Sequence, residues 1–133
     1  MKLDLKTLGY IKVFEKHTGA DIKDCFLRGD TLVFIVKPGN IGKAIGKKGM
    51  NVRNLLNKFK RPLRIIEYNE DVARFVKNLI FPIKTTVETR GNKVVIFAED
   101  NKIKGQLFGR DKSKLKDMQE IVRRYFDVEI AIE

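Results

Sequence analysis

Gly46-Lys47-Lys48-Gly49 is the stretch of this chain whose residue types and spacing most clearly point to chemistry. Two glycines around two lysines let the backbone approach a sugar–phosphate chain where a side chain would block it. Lys47 and Lys48 place positive charge at the loop tip. Gly42 and Lys43 precede the loop, and Asn51 and Arg53 follow it at the start of a helix. The amides and dipole of such a helix start favour a phosphate, and Arg53, one turn in, can reach a phosphate or stack on a base. A related cluster lies 63 residues later: Gly105, Gly109, Arg110, Lys112 and Lys114. There Lys112 stands where the second glycine should be and Asp111 sits between the cations, so close backbone approach is expected to be lost. Two readings stand for this second loop: a degenerate copy kept for packing, or a second phosphate site made by side chains.

Other chemistries find little support. A nucleotide-binding P-loop needs G-x-x-x-x-G-K-[ST], but Ile41 lies five residues before Gly46 and Lys48 follows Lys47. His17 is the sole histidine, which removes any multi-histidine metal centre, and it reads as a surface residue near a helix end. Cys25, the sole cysteine, lies in an apolar run and reads as core; it excludes an internal disulfide and points to a reducing, cytoplasmic setting. Glu99-Asp100 reads as a turn, and no acid cluster serves a metal-dependent nuclease. No metal, cofactor or catalytic residue is therefore expected. No run approaches the length of a membrane helix, and the N-terminus has no apolar signal segment.

Charge narrows the partner. The net charge is +11 and the pI about 9.8, which favours a polyanion. No Asp or Glu occurs from Thr31 to Ile66, whereas Lys37, Lys43, Lys47, Lys48, Arg53, Lys58, Lys60, Arg61 and Arg64 all fall there. A surface made merely soluble would mix both signs; a block purged of acid suits phosphates.

The elements that must hold these loops come as a repeat. Arg28-Gly29-Asp30 precedes the run Thr31–Val36, and Arg90-Gly91-Asn92 precedes Lys93–Ala98, 62 residues later. With one inserted residue, Gly42 and Gly46 match Gly105 and Gly109, and Val52, Leu55 and Phe59 match Leu115, Met118 and Val122. Both copies end in apolar runs, Leu63–Tyr68 and Val128–Ile132. In the first copy Asp4 is expected to cap a helix with the stripe Leu5, Leu8, Ile11 and Phe14. In the second, Asn69 is expected to cap one with Val72, Phe75, Val76 and Leu79, ended by Pro82. Each then predicts a hairpin, with Ile83–Thr89 alternating as a half-buried strand and the second strand of each hairpin central. A short helix (about Ile41–Ile45 in the first copy), the glycine loop, a second helix and a last strand complete each unit. The order is α-β-β-α-α-β twice, over residues 1–68 and 69–133, with Asn69 and Glu70 as the only linker, so a fixed relation between units is expected.

Ile45-Gly46-Lys47-Lys48-Gly49-Met50-Asn51-Val52-Arg53 resembles the I-G-x-x-G-x-x-[VI] signature of KH domains, and α-β-β-α-α-β matches their type II arrangement. The tandem with a minimal linker is similar to the KH portion of the NusA transcription factors, in the short archaeal-type form. The resemblance covers essentially the whole chain. It implies an α+β fold of two tandem type II KH domains, each with a three-stranded mixed sheet and helices on one face. It further implies a non-enzymatic, monomeric, cytoplasmic factor that binds single-stranded RNA in transcription elongation or termination, with RNA polymerase as a further partner. A ribosome-associated role is the alternative, although the long basic tails that would favour it are missing. The resemblance adds a groove for about four unpaired nucleotides, floored by Ile41, Ala44, Ile45 and part of Leu63–Glu67; the alternative is that these same side chains are core, and Ile45 reads as core.

Overall fold

The computed structural model describes residues 5–133, except the side chain of Lys6. Asp4, expected as a helix cap, lies outside the described residues. The chain forms two compact units, Met1–Tyr68 and Asn69–Glu133.

The first unit runs α1 (Leu5–Thr18), β1 (Ile22–Arg28), β2 (Thr31–Val36), α2 (Ile41–Ile45), α3 (Met50–Phe59) and β3 (Leu63–Glu67). The second runs α4 (Val72–Ile80), β4 (Val87–Arg90), β5 (Lys93–Ile96), α5 (Asn101–Phe108), α6 (Ser113–Arg123) and β6 (Glu129–Ile132). Each sheet has three strands, β1-β2-β3 and β4-β5-β6. The hairpin pair is antiparallel and the last strand is parallel to the central one. The continuous apolar runs thus occupy the centre, as expected. Each hairpin is closed by two residues, Gly29-Asp30 and Gly91-Asn92, with the glycines at φ +58° and +59°. That is the first central position, which a type II′ turn reserves for glycine.

In the first unit Leu32, Phe34 and Val36 alternate onto one face of β2 and meet Phe14 of α1, Ala44 of α2 and Leu55 of α3. Phe14 stacks on Phe34 with centroids 4.1 Å apart, and Phe59 closes the end of the core against Tyr10. Cys25 is buried here, as expected of a core residue. In the second unit Phe75, Val76, Leu107, Met118, Ile121, Val122, Val94 and Ile96 are buried.

Three local expectations are corrected. The inward face of α1 is centred on Thr7 and Phe14, with Tyr10 and Ile11 half-buried, whereas Leu5 is 89% exposed. The cap of α4 is Asp71, whose carboxylate accepts from the Ala73 amide at 3.0 Å; Asn69 instead accepts from the Asp71 amide at 2.8 Å. Two successive Asx turns therefore open the second unit, and the second one starts the helix. The strand expected over Ile83–Thr89 begins only at Val87. Its forerunner is still tied alongside β5, because the Thr85 hydroxyl donates to the Phe97 carbonyl and the Phe97 amide donates to the Thr86 carbonyl.

α3 ends at Lys60, which adopts φ +54°, ψ +38° and donates its amide to the Leu56 carbonyl at 2.9 Å. This left-handed closing position favours glycine, and a side chain there costs about 1 kcal/mol. Lys60→Gly is expected to stabilise the first unit by up to about 1 kcal/mol, read as a raised urea midpoint with unchanged slope.

Candidate nucleic-acid interface

α2 ends at Gly46 (φ +78°, ψ +169°), whose amide donates to the Gly42 carbonyl at 2.9 Å. A single 3-10 turn, Lys47–Gly49, follows, with Lys48 at φ +55°, ψ +30° and Gly49 at φ +71°, ψ +18°. α3 then starts at Met50 behind a glycine N-cap, which has no side chain to accept from the opening amides, and such a helix start suits an anion. Lys47, Lys48 and Arg53 are exposed. The Gly46 conformation lies in a region essentially restricted to glycine. A Cβ there would also stand 2.7 Å from Asn51 Cγ and 2.9 Å from the Asn51 amide nitrogen. Gly49 differs, since a Cβ on it would meet nothing within 4 Å.

The second loop is built the same way. Gly109 sits at φ +70°, ψ +175°, Asp111 at φ +55°, ψ +32° and Lys112 at φ +61°, ψ +24°. A Cβ on Gly109 would stand 2.6 Å from Lys114 Cγ and 2.9 Å from the Lys114 amide nitrogen. Lys112 therefore leaves the loop's own backbone course unchanged. The two loops share one set of dihedrals, and Lys112 occupies the left-handed position of Gly49. The first glycine has no substitute and recurs. The second needs only a left-handed residue, which lysine can supply at about 1–2 kcal/mol. What separates the loops is charge, because an exposed carboxylate, Asp111, replaces Lys48 at the apex.

Comparison with known proteins gives one consistent answer. No family model matches the chain. A protein of Methanocaldococcus jannaschii, named "Probable transcription termination protein NusA", is 35% identical over 129 residues, covering 94% of this chain and 70% of the relative. The chain belongs to the archaeal NusA-like family. A namesake from Methanococcus vannielii is 41% identical over 100 residues, and the match spans 73% of this chain but only 58% of that relative. The crystal structure of the protein APE1850 superposes with a TM-score of 0.78 at 29% identity, covering 98% of this chain and 100% of the other. The NusA-like chain thus carries an α+β, KH-like fold with two three-stranded mixed sheets.

The remaining candidates of this NusA-like chain lie on the two short helices and at the starts of the helices that follow. Lys43 and Gly42 are exposed on α2, and a Cβ on Gly42 would meet nothing within 4 Å; Gly105 is equally open on α5. Asn51 is a brace, since its side-chain amide donates to the Lys43 carbonyl at 2.8 Å and ties α2 to α3 across the loop. Lys114 takes the place of Asn51 in the second unit and keeps its charge exposed, as do Arg110 and Lys112. Burial divides the groove candidates, and for Ile45 it reverses the reading as core. Ala44 is fully buried and belongs to the core, whereas Ile45 is 39% exposed beside the loop. Met50, on the other flank, is 54% exposed. It was not singled out from the sequence, although an apolar residue directly after the second glycine was the available signal. Among the described residues no group of three His, Cys, Asp or Glu side chains could hold a metal ion, and no helix is long and apolar enough to cross a membrane.

Proposed function

We propose that the chain is a single-stranded RNA-binding factor acting in transcription elongation or termination, built of two tandem type II KH domains over residues 1–68 and 69–133. The observation that carries this reading is the first loop: Gly46 in a glycine-only conformation, two exposed lysines, an uncapped helix start and a flanking sequence free of acids from Thr31 to Ile66. Phosphates settle against the open amides and Lys47 and Lys48. Unstacked bases lie on the apolar surface of Ile45 and Met50, beside half-buried Ile41, and Arg53 reaches the chain from the first turn of α3. The work is binding, not catalysis. The transcription setting is supported by the names of the relatives, and contact with RNA polymerase in the cytoplasm follows from the same reading. The second loop adds a weaker phosphate contact through Arg110, Lys112 and Lys114.

Unpaired RNA should bind better than duplex, because the groove reads splayed bases and not the shape of a helix. With roughly four to six phosphates engaged, the slope of log affinity against log salt should be about −3 to −4. Fluorescence anisotropy across a salt series checks both. Equal affinity for duplex, or a slope near zero, would remove the basis for this function.

A further inference from the structure

The outer face of α1 carries Leu5, Gly9 and Val13 at four-residue intervals, so they form one stripe. Leu5 is 89% and Val13 37% exposed. Gly9 and Val13 join Tyr10, Lys58 and Phe59 to line a groove of about 480 Å³ between α1 and the end of α3. Glycine inside a helix is destabilising relative to alanine, yet a Cβ on Gly9 would meet nothing within 4 Å. No packing inside the unit requires glycine there, and its effect is to keep the groove floor low. The surroundings are cationic. Lys58 lines the groove, Lys12 and Lys16 follow Gly9 and Val13 by one turn, and no acid occurs anywhere in α3. Glu15, the acid of α1, lies roughly 120° round the helix from Gly9.

We propose that this groove docks an acidic amphipathic helix of a protein partner. A channel between two helices with apolar walls suits the helix-in-groove mode, in which spaced aliphatic anchors enter and charges meet at the rim. RNA fits less well: Tyr10 and Phe59 are half-buried and engage each other edge to face at 5.2 Å, and Phe59 also lies over Phe34 at 6.0 Å, so both rings are held in the core packing and neither stands free for a base. A second copy of the chain would bring a surface with a net charge of +11 to a basic groove. The groove lies at the opposite end of the ten-residue α3 from the glycine loop, about 15 Å away at 1.5 Å per residue. Partner and RNA can therefore be held together.

The test uses the full chain and a labelled synthetic helix with leucines at i, i+3, i+4 and i+7 and glutamates elsewhere. Two control peptides carry Lys for every Glu, or Ser for every Leu. The acidic amphipathic peptide should bind at least tenfold more tightly than either control, with NMR shift changes centred on Gly9, Val13, Lys58 and Phe59. Gly9→Leu, which lays a side chain along the groove floor, and Lys58→Glu should each weaken it at least tenfold, while Gly9→Leu leaves unpaired-RNA binding unchanged. Gly9→Ala serves as the fold control and should raise the melting temperature. The proposal is overturned if the acidic peptide does not bind, if the controls bind equally, or if Gly9→Leu has no effect on peptide binding. It is equally overturned if the shifts centre on Lys47–Gly49, or if unpaired RNA and not the peptide perturbs the groove.

Discussion

Replacing Lys47 and Lys48 together by Asp is expected to weaken binding of unpaired RNA at least tenfold, about 1.4 kcal/mol, and to leave the melting temperature almost unchanged. The large effect on binding is expected from reversing two charges at the apex of the loop that keeps both glycines. The small effect on folding follows from the second unit. Asp111 already sits at φ +55° in the matching position, and aspartate tolerates that region better than lysine does. Both lysines are exposed, so no core contact is lost. The parallel pair Arg110→Asp and Lys112→Asp should cost less, because Asp111 already lowers the positive charge there. Anisotropy titrations of both double variants against one unpaired oligonucleotide decide the ranking. Equal losses would make the second loop a full RNA site, and no loss from either pair would leave the acid-free block to some other partner.

The largest stability effect is expected at the first glycine of each loop. Gly46→Ala places a Cβ against the backbone nitrogen and side chain of Asn51 at 2.7–2.9 Å, in a conformation that costs other residues about 1–3 kcal/mol by itself. A loss of about 2–4 kcal/mol from the first unit is expected, and Gly109→Ala should do the same to the second. Gly49→Ala, with open space around it, should cost only about 1 kcal/mol. Urea unfolding followed by NMR signals from each unit separates these cases. If Gly46→Ala and Gly49→Ala cost the same, the close approach to Asn51 does not hold the loop.

The parts of the fold legible in the sequence are those set by short-range chemistry. The paired Gly29-Asp30 and Gly91-Asn92 turns, the apolar runs of β2 and β5, and the glycine loops all sit where their residues predict. Phase and register were harder. Leu5 looks like the start of an apolar stripe, but the inward face of α1 runs through Thr7 and Phe14; a lone buried threonine leaves no periodic mark. Asn69 and Asp71 are equal candidates as caps, and only the backbone course shows that Asp71 opens the helix. Ile45 looks like core because it is apolar and precedes a loop, yet Ala44 turns inward and leaves Ile45 outside. Lys112 hides its left-handed conformation because lysine is a poor predictor of positive φ. The shared backbone course of the two loops past the first glycine therefore emerged only from their dihedral angles.

The most direct test of the central claim is an NMR titration of the full chain with an unpaired RNA oligonucleotide at moderate salt. The account predicts the earliest and largest shift changes over Gly42–Arg53, with Ile45 and Met50 methyls moving alongside the loop amides, and smaller changes over Gly105–Lys114. Shift changes that avoid Gly46–Gly49, or that appear only with duplex RNA, would contradict it.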